Sequence, residues 1–190
     1  MKAFWMATAA AVTLAGCTTV PGDMETPAAS TARAAEDARV ADLVARMSVE
    51  RKVAQLIQPQ INSFTAEDMR RYRFGSYLNG GNGGPYGDEY AEASEWLKLA
   101  DEMYLASIAQ QPNGEPVIPT MWGTDAVHGH TNVMRATIFP HNIGLGATRD
   151  ADLIRRVGEA TATEIEVTGI DWNFSPTIAV AQDDRWGRTY

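Results

Sequence analysis

Short apolar runs alternate with amphipathic stripes along this chain, and that order constrains its fold more than any single motif. Phe74 to Leu78 (FGSYL) reads as a brief strand, and about Glu92 to Gln110 as a helix with Trp96, Leu99, Ala100, Met103, Tyr104 and Ile108 on one face. Val117 to Trp122 (VIPTMW) is a near-continuous apolar run, as a strand covered on both faces requires. A second helix is expected over about Ala151 to Thr168, with Asp150 as N-cap, a stripe of Ile154, Val157, Thr161 and Ile165, and Gly169 beyond its end. Ile170 to Phe174 supplies a third strand. Strand, helix, strand, helix, strand is the order of right-handed βαβ units, so the fold class is α/β with a parallel sheet. Active residues then gather at the carboxyl ends of the strands. Three polar segments answer to that position: the loop from Asn79, the stretch beginning Gly123-Thr124-Asp125, and Ser175 to Arg188.

Upstream, Val40, Leu43, Val44 and Met47 recur at helical spacing from Glu36 onward. Ser48 caps a second helix striped by Val49, Val53, Leu56 and Ile57 and stopped by Pro59, and Thr65 caps a third ahead of Ala66-Glu67-Asp68. Asn79 to Gly87 (NGGNGGPYG) is a loop; it lacks GxGxxG and GKS/GKT, so it is not read as a phosphate cradle.

Residues 1–16 have the basic start at Lys2, the apolar run and the small residues of a secretory signal peptide. The run is too short to span a bilayer as a helix. The ending Leu14-Ala15-Gly16-Cys17 looks like a bacterial lipobox, which makes Cys17 a lipid anchor and explains a lone cysteine. Residues 17–35, small, polar and broken by Pro21 and Pro27, read as a flexible tether, and residues 36–190 as the folded part. The expected location is the bacterial cell envelope, with the membrane reached only through the lipid.

With 24 Asp and Glu against 16 Lys and Arg, a net charge of -8, the chain is a poor match for nucleic acid. A neutral or weakly polar substrate suits it better. An eight-stranded barrel takes roughly 250 residues, more than the part from residue 36 offers, so either the sheet is small and complete or the chain is cut short. The ending AVAQDDRWGRTY supplies neither a closing helix nor a polar tail, and the chain is read as a fragment.

Two blocks carry the chemistry: WGTDAVHGHTNVMRATIFPHNIGLGATRD from Trp122 to Asp150, and GIDWNFSPTIAVAQDDRWGR from Gly169 to Arg188. With the start RVADLVARMSVERKVAQL they resemble glycoside hydrolase family 3, in its β-glucosidase and exo-β-glucanase branch. The resemblance covers nearly everything from Ala38 to Tyr190. It implies the first part of a (β/α)8 TIM-type barrel, no cofactor, and a β-glucoside or β-glucan oligosaccharide as substrate. The implied activity is retaining hydrolysis of terminal non-reducing β-D-glucosyl residues.

Asp125 matches the Asp of the family's G-x-D-A-x-H-G motif, which binds hydroxyls of the non-reducing glucose; a carboxylate at a strand end can accept two hydroxyl donors at once. Read by itself, the same Asp could cap a helix or pair with a base. Arg188 matches the second Arg of R-W-G-R, a planar donor to sugar hydroxyls, while Arg185 is read as holding the loop. At Asp184 the family more usually has Pro. Trp122, Trp172 and Trp186 lie beside these blocks as candidates for stacking on a sugar ring or for core.

By resemblance the nucleophile is an Asp and the acid/base a Glu, both expected beyond Tyr190, so no catalytic residue is assigned in this chain. Glu159 and Glu164 are read as helix-pairing residues. Two other readings of the residues stay open. His128 and His130, with Asp125 or His141, could hold a zinc ion in a metal-dependent barrel hydrolase, or the chain could belong to an envelope lipoprotein that binds saccharide without turnover.

Overall fold

The computed structural model describes residues 27–110 and 114–187. Two compact units divide the chain, Met1–Ala41 and Asp42–Tyr190. In the first unit the described residues are helical. Helix α1 runs Pro27–Ala45, nine residues earlier than Glu36, so part of the segment expected to be tether is helical. Alanine-rich sequence with Pro at the first helical position accounts for that start. From residue 30 onward α1 buries no side chain, and Val40 and Val44 stay exposed.

In the second unit, α2 (Val49–Ala54) and α3 (Ala66–Tyr72) start where their caps predict. Ser48 accepts from the Arg51 N–H, and Thr65 and Asp68 form a reciprocal capping box. The face that α2 buries is not the apolar one. Val49 and Val53 are exposed, and Arg51 and Ala54 are buried. The reason is the chain entering the sheet: Arg51 Nη1 and Gln55 Nε2 donate to the Arg73 carbonyl, and the Gly75 N–H donates to the Ala54 carbonyl. Gly75 passes so close that a Cβ there would lie 2.5 Å from the Gln55 carbonyl oxygen. No helix among the described residues is long and apolar enough to cross a membrane.

The sheet is parallel in the order β1 (Ser76–Asn79), β2 (Met121–Thr124), β3 (Trp172–Asn173). Ser76 pairs with Met121 through to Asn79 with Thr124, and Gly123 pairs with Trp172 and Thr124 with Asn173. Gln60 adds a parallel bridge to Leu78 on the far side of β1, past the proline that was expected only to end a helix. The second strand lies nearer the carboxyl end than VIPTMW suggests, because Pro119 offers no N–H to a ladder.

Helix α4 (Ala93–Ile108) joins β1 to β2, and α5 (Asn142–Ala147) and α6 (Ala151–Glu166) join β2 to β3. Asp150 caps α6 by accepting from the Leu153 N–H at 2.9 Å. Helix α4 buries Trp96, Leu99, Ala100 and Met103. The Trp96 ring stacks on Trp122 of β2 at 5.7 Å, and Tyr77 of β1 meets Trp122 at 5.0 Å. Each indole removes on the order of 200 Å² from water, roughly 5 kcal/mol gross. The exposed ion pairs, such as Arg155 with Glu159, contribute at most about 1 kcal/mol each. The aromatic layer therefore dominates the packing of α4 on the sheet.

Candidate functional site

Each named strand delivers an amide or carboxylate near its carboxyl end. Asn79 closes β1, fully buried, its Nδ2 donating to Thr124 Oγ1 at 3.0 Å and its Oδ1 accepting from Trp122 Nε1 at 2.9 Å. One asparagine thus holds both the last residue of β2 and the ring that anchors α4. Asp125 follows immediately and is exposed, with no hydrogen bond or ion pair to another described residue. Asn173 of β3 accepts the Ala126 N–H on Oδ1 and donates to the Ala126 carbonyl from Nδ2, both at 3.1 Å. Gly123 allows β3 to approach: a Cβ there would lie 2.4 Å from Phe174 Cζ. Strand alternation puts Gly123 and Asp125 on the face opposite Trp122 and Thr124.

The tryptophans separate accordingly. Trp122 is fully buried and belongs to the core. Trp172 is 43% exposed and sets its ring against Phe174 at 4.8 Å, beside Gly123, on the face that carries Asp125. Trp186 is half-buried. Arg185 donates from Nε to Asp183 Oδ1 at 2.9 Å and holds the Asp183 carboxyl below its ordinary range. Arg188 and Cys17 lie outside the described residues.

The histidines are committed to scaffolding contacts. His128 Nδ1 lies 2.8 Å from the Phe139 carbonyl, which can only accept, so that nitrogen carries the proton. The His128 ring lies 4.0 Å from that of His141. His130 is 1% exposed, with Nε2 3.0 Å from Thr168 Oγ1 and its ring edge-on to Trp96. Thr168 gives its hydroxyl proton to the Ile165 carbonyl at 2.7 Å, so it accepts from His130 Nε2–H and leaves Nδ1 as a buried lone pair without a partner. Burial pushes the His130 pKa down to about 4 against a weaker opposing pull from Glu164. The zinc reading required convergence with Asp125 or His141. Among the described residues no group of three or more His, Cys, Asp or Glu could hold a metal ion.

Glu159 pairs with Arg155, and Glu164 accepts the Thr137 N–H. Both serve α6 and its contacts. Asn79 and Asn173 are the residues the sequence reading passed over. The available signal was an asparagine near the carboxyl end of each flanking strand.

The family model described as the glycosyl hydrolase family 3 N terminal domain matches residues 48–190. The chain belongs to glycoside hydrolase family 3. An exo-1,3/1,4-beta-glucanase from a Pseudoalteromonas species is similar in structure, with a TM-score of 0.74 and 60% identity over 81% of this chain and 19% of that one. The lysosomal beta glucosidase of Dictyostelium discoideum is 32% identical over 82% of this chain and 20% of its own length. The periplasmic beta-glucosidase of Salmonella typhimurium is 27% identical over 81% of this chain and 18% of its own. The chain thus spans about a fifth of the length of these curated relatives. Its parallel strands and intervening helices are βα units of the TIM-type barrel of the family 3 N-terminal domain.

Proposed function

We propose that this chain is the N-terminal part of an exported, lipid-anchored β-glucosidase. The enzyme releases terminal non-reducing β-D-glucosyl residues from β-glucans or their oligosaccharides by a retaining mechanism. The observation that carries this reading is the 60% identity to an exo-1,3/1,4-beta-glucanase across 81% of the chain. Asp125 and Arg188 bind glucose hydroxyls, Asp125 as acceptor and Arg188 as donor. The Asp nucleophile and Glu acid/base follow Tyr190, set about 5 Å apart as a retaining enzyme requires. Export is supported by relatives named periplasmic and lysosomal, and the lipobox-like segment makes Cys17 the anchor that keeps the protein in the envelope.

The placement of Asp125 agrees with this role. Its carboxylate is exposed, has no partner among the described residues, and follows directly on the end of β2. The test is glucose release from an aryl β-glucoside and short β-glucans by the longer protein that contains this chain, with and without Asp125→Ala. Two charge-assisted hydrogen bonds at about 1.5–3 kcal/mol each predict a loss in kcat/KM of at least about 100-fold. A folded Asp125→Ala protein with wild-type kcat/KM overturns the role of Asp125, and a folded wild type without turnover overturns the activity.

A further inference from the structure

We infer that Asn173 is a positioning residue for Asp125, its side chain replacing the ladder rung that Pro176 cannot supply and holding the Ala126 N–H as well. The inference rests on the reading of Asp125 as a sugar-hydroxyl acceptor. Backbone pairing from β3 to β2 reaches the Phe174 N–H, which donates to the Thr124 carbonyl at 2.9 Å. In a parallel ladder the Ala126 carbonyl would next receive an N–H from residue 176. That residue is Pro176, which has none. The Asn173 side chain makes the connection instead, accepting the Ala126 N–H and donating to the Ala126 carbonyl, both at 3.1 Å.

The chemistry of this contact is specific to asparagine. A primary amide presents an acceptor and a donor in one plane, as a neighbouring strand would, and the reversed amide would set donor against donor. Aspartate has the shape but puts an oxygen against the Ala126 carbonyl. Glutamine keeps both groups but carries an extra methylene. On the other side Asn79 grips Thr124 through its hydroxyl. Residue 125 is therefore bracketed, with residue 124 held from β1 and residue 126 from β3.

What remains free at Asp125 is a short backbone span and a side chain with no other described partner. An exposed carboxylate without such anchors would sample many positions, and ordering it would cost affinity when sugar binds. Displacing a binding group by about 1 Å costs on the order of 100-fold in rate. The double bond to Ala126 thus serves the aim of Asp125 more than the strength of the sheet.

The experiment is a double-mutant cycle in the longer protein, reading kcat and KM on an aryl β-glucoside for wild type, Asn173→Ala, Asp125→Ala and the double variant. Asn173→Ala is expected to lower kcat/KM by about 10- to 100-fold in the wild-type background and by less than about 3-fold when Asp125 is already alanine. An equal loss in both backgrounds, or no loss in the first, overturns the inference. If Asp125→Ala itself is harmless, the reading of Asp125 falls and this inference with it, an outcome distinct from the other two. Asn173→Asp is the second variant where the alanine protein fails to fold. It keeps the acceptor and loses the donor, and the same non-additivity with Asp125→Ala is expected of it; additivity overturns the inference there too.

Discussion

A histidine buried against Trp96 and bonded to Thr168 by one nitrogen has a definite consequence for pH. His130 is neutral in the folded protein until its pKa of about 4, whereas in the unfolded chain it charges near 6.5. The unfolded state therefore binds more protons between those values. The contribution of this group to stability is complete above about pH 6.5, falls as pH drops toward about 4, and changes no further below that. A shift of this size corresponds to roughly 3 kcal/mol at 1.36 kcal/mol per unit. Denaturant unfolding of the longer protein from pH 7.5 to 4.5 is expected to show the decline, and His130→Gln to flatten it; an unchanged slope in that variant assigns the decline to other groups. The sequence displayed His128-Gly129-His130 as a pair, but which ring lies in the core and which meets a carbonyl depends on Thr168 and Phe139, 38 and 11 residues away.

At the scale of elements, local chemistry was readable and facing was not. Ser48, Thr65 and Asp150 cap their helices as their types and positions require, because a cap needs only its own helix. The position of Asp125 directly after β2 was readable for a similar reason, since a polar residue closing an apolar run marks a strand end by local sequence alone. The stripe Val49, Val53, Leu56 and Ile57 misled because the partner of α2 is the polar turn at Arg73 to Gly75, and only the fold brings that turn to Arg51. Asn79 and Asn173 stayed hidden because their partners lie on neighbouring strands 45 and 47 residues away. The contact of β2 with β3 turns on Gly123. A methyl there meets Phe174 Cζ at 2.4 Å and Cε1 at 2.5 Å, with the Trp172 ring at 3.3 Å limiting retreat. Gly123→Ala is expected to destabilise the longer protein by about 2 kcal/mol through overpacking and to weaken glucoside turnover by shifting β3 and Asn173. A melting temperature and kcat/KM both equal to wild type would mean that the Phe174 ring swings clear at no cost.

For the molecule as a whole, the order β1, β2, β3 leaves the outer side of β3 unpaired among the named strands. Alongside runs a groove of about 650 Å³ lined by Leu145, Ile154, Val157, Ile165, Ile170 and Pro176 among others. Ile143, Ile178 and Val180 are 71%, 87% and 78% exposed. An apolar groove beside an open strand edge is the combination that draws hydrophobic probes and further chains. Expressed by itself, the 190-residue chain is expected to enhance the fluorescence of an anionic naphthalene dye and to self-associate at micromolar concentration by light scattering. It is also expected to release no glucose from an aryl β-glucoside. Val157→Lys, which places a charge in the groove from the half-buried face that α6 turns toward it, should lower both dye binding and association. A chain that stays monomeric, with dye binding untouched by that substitution, would locate its sticky surface elsewhere.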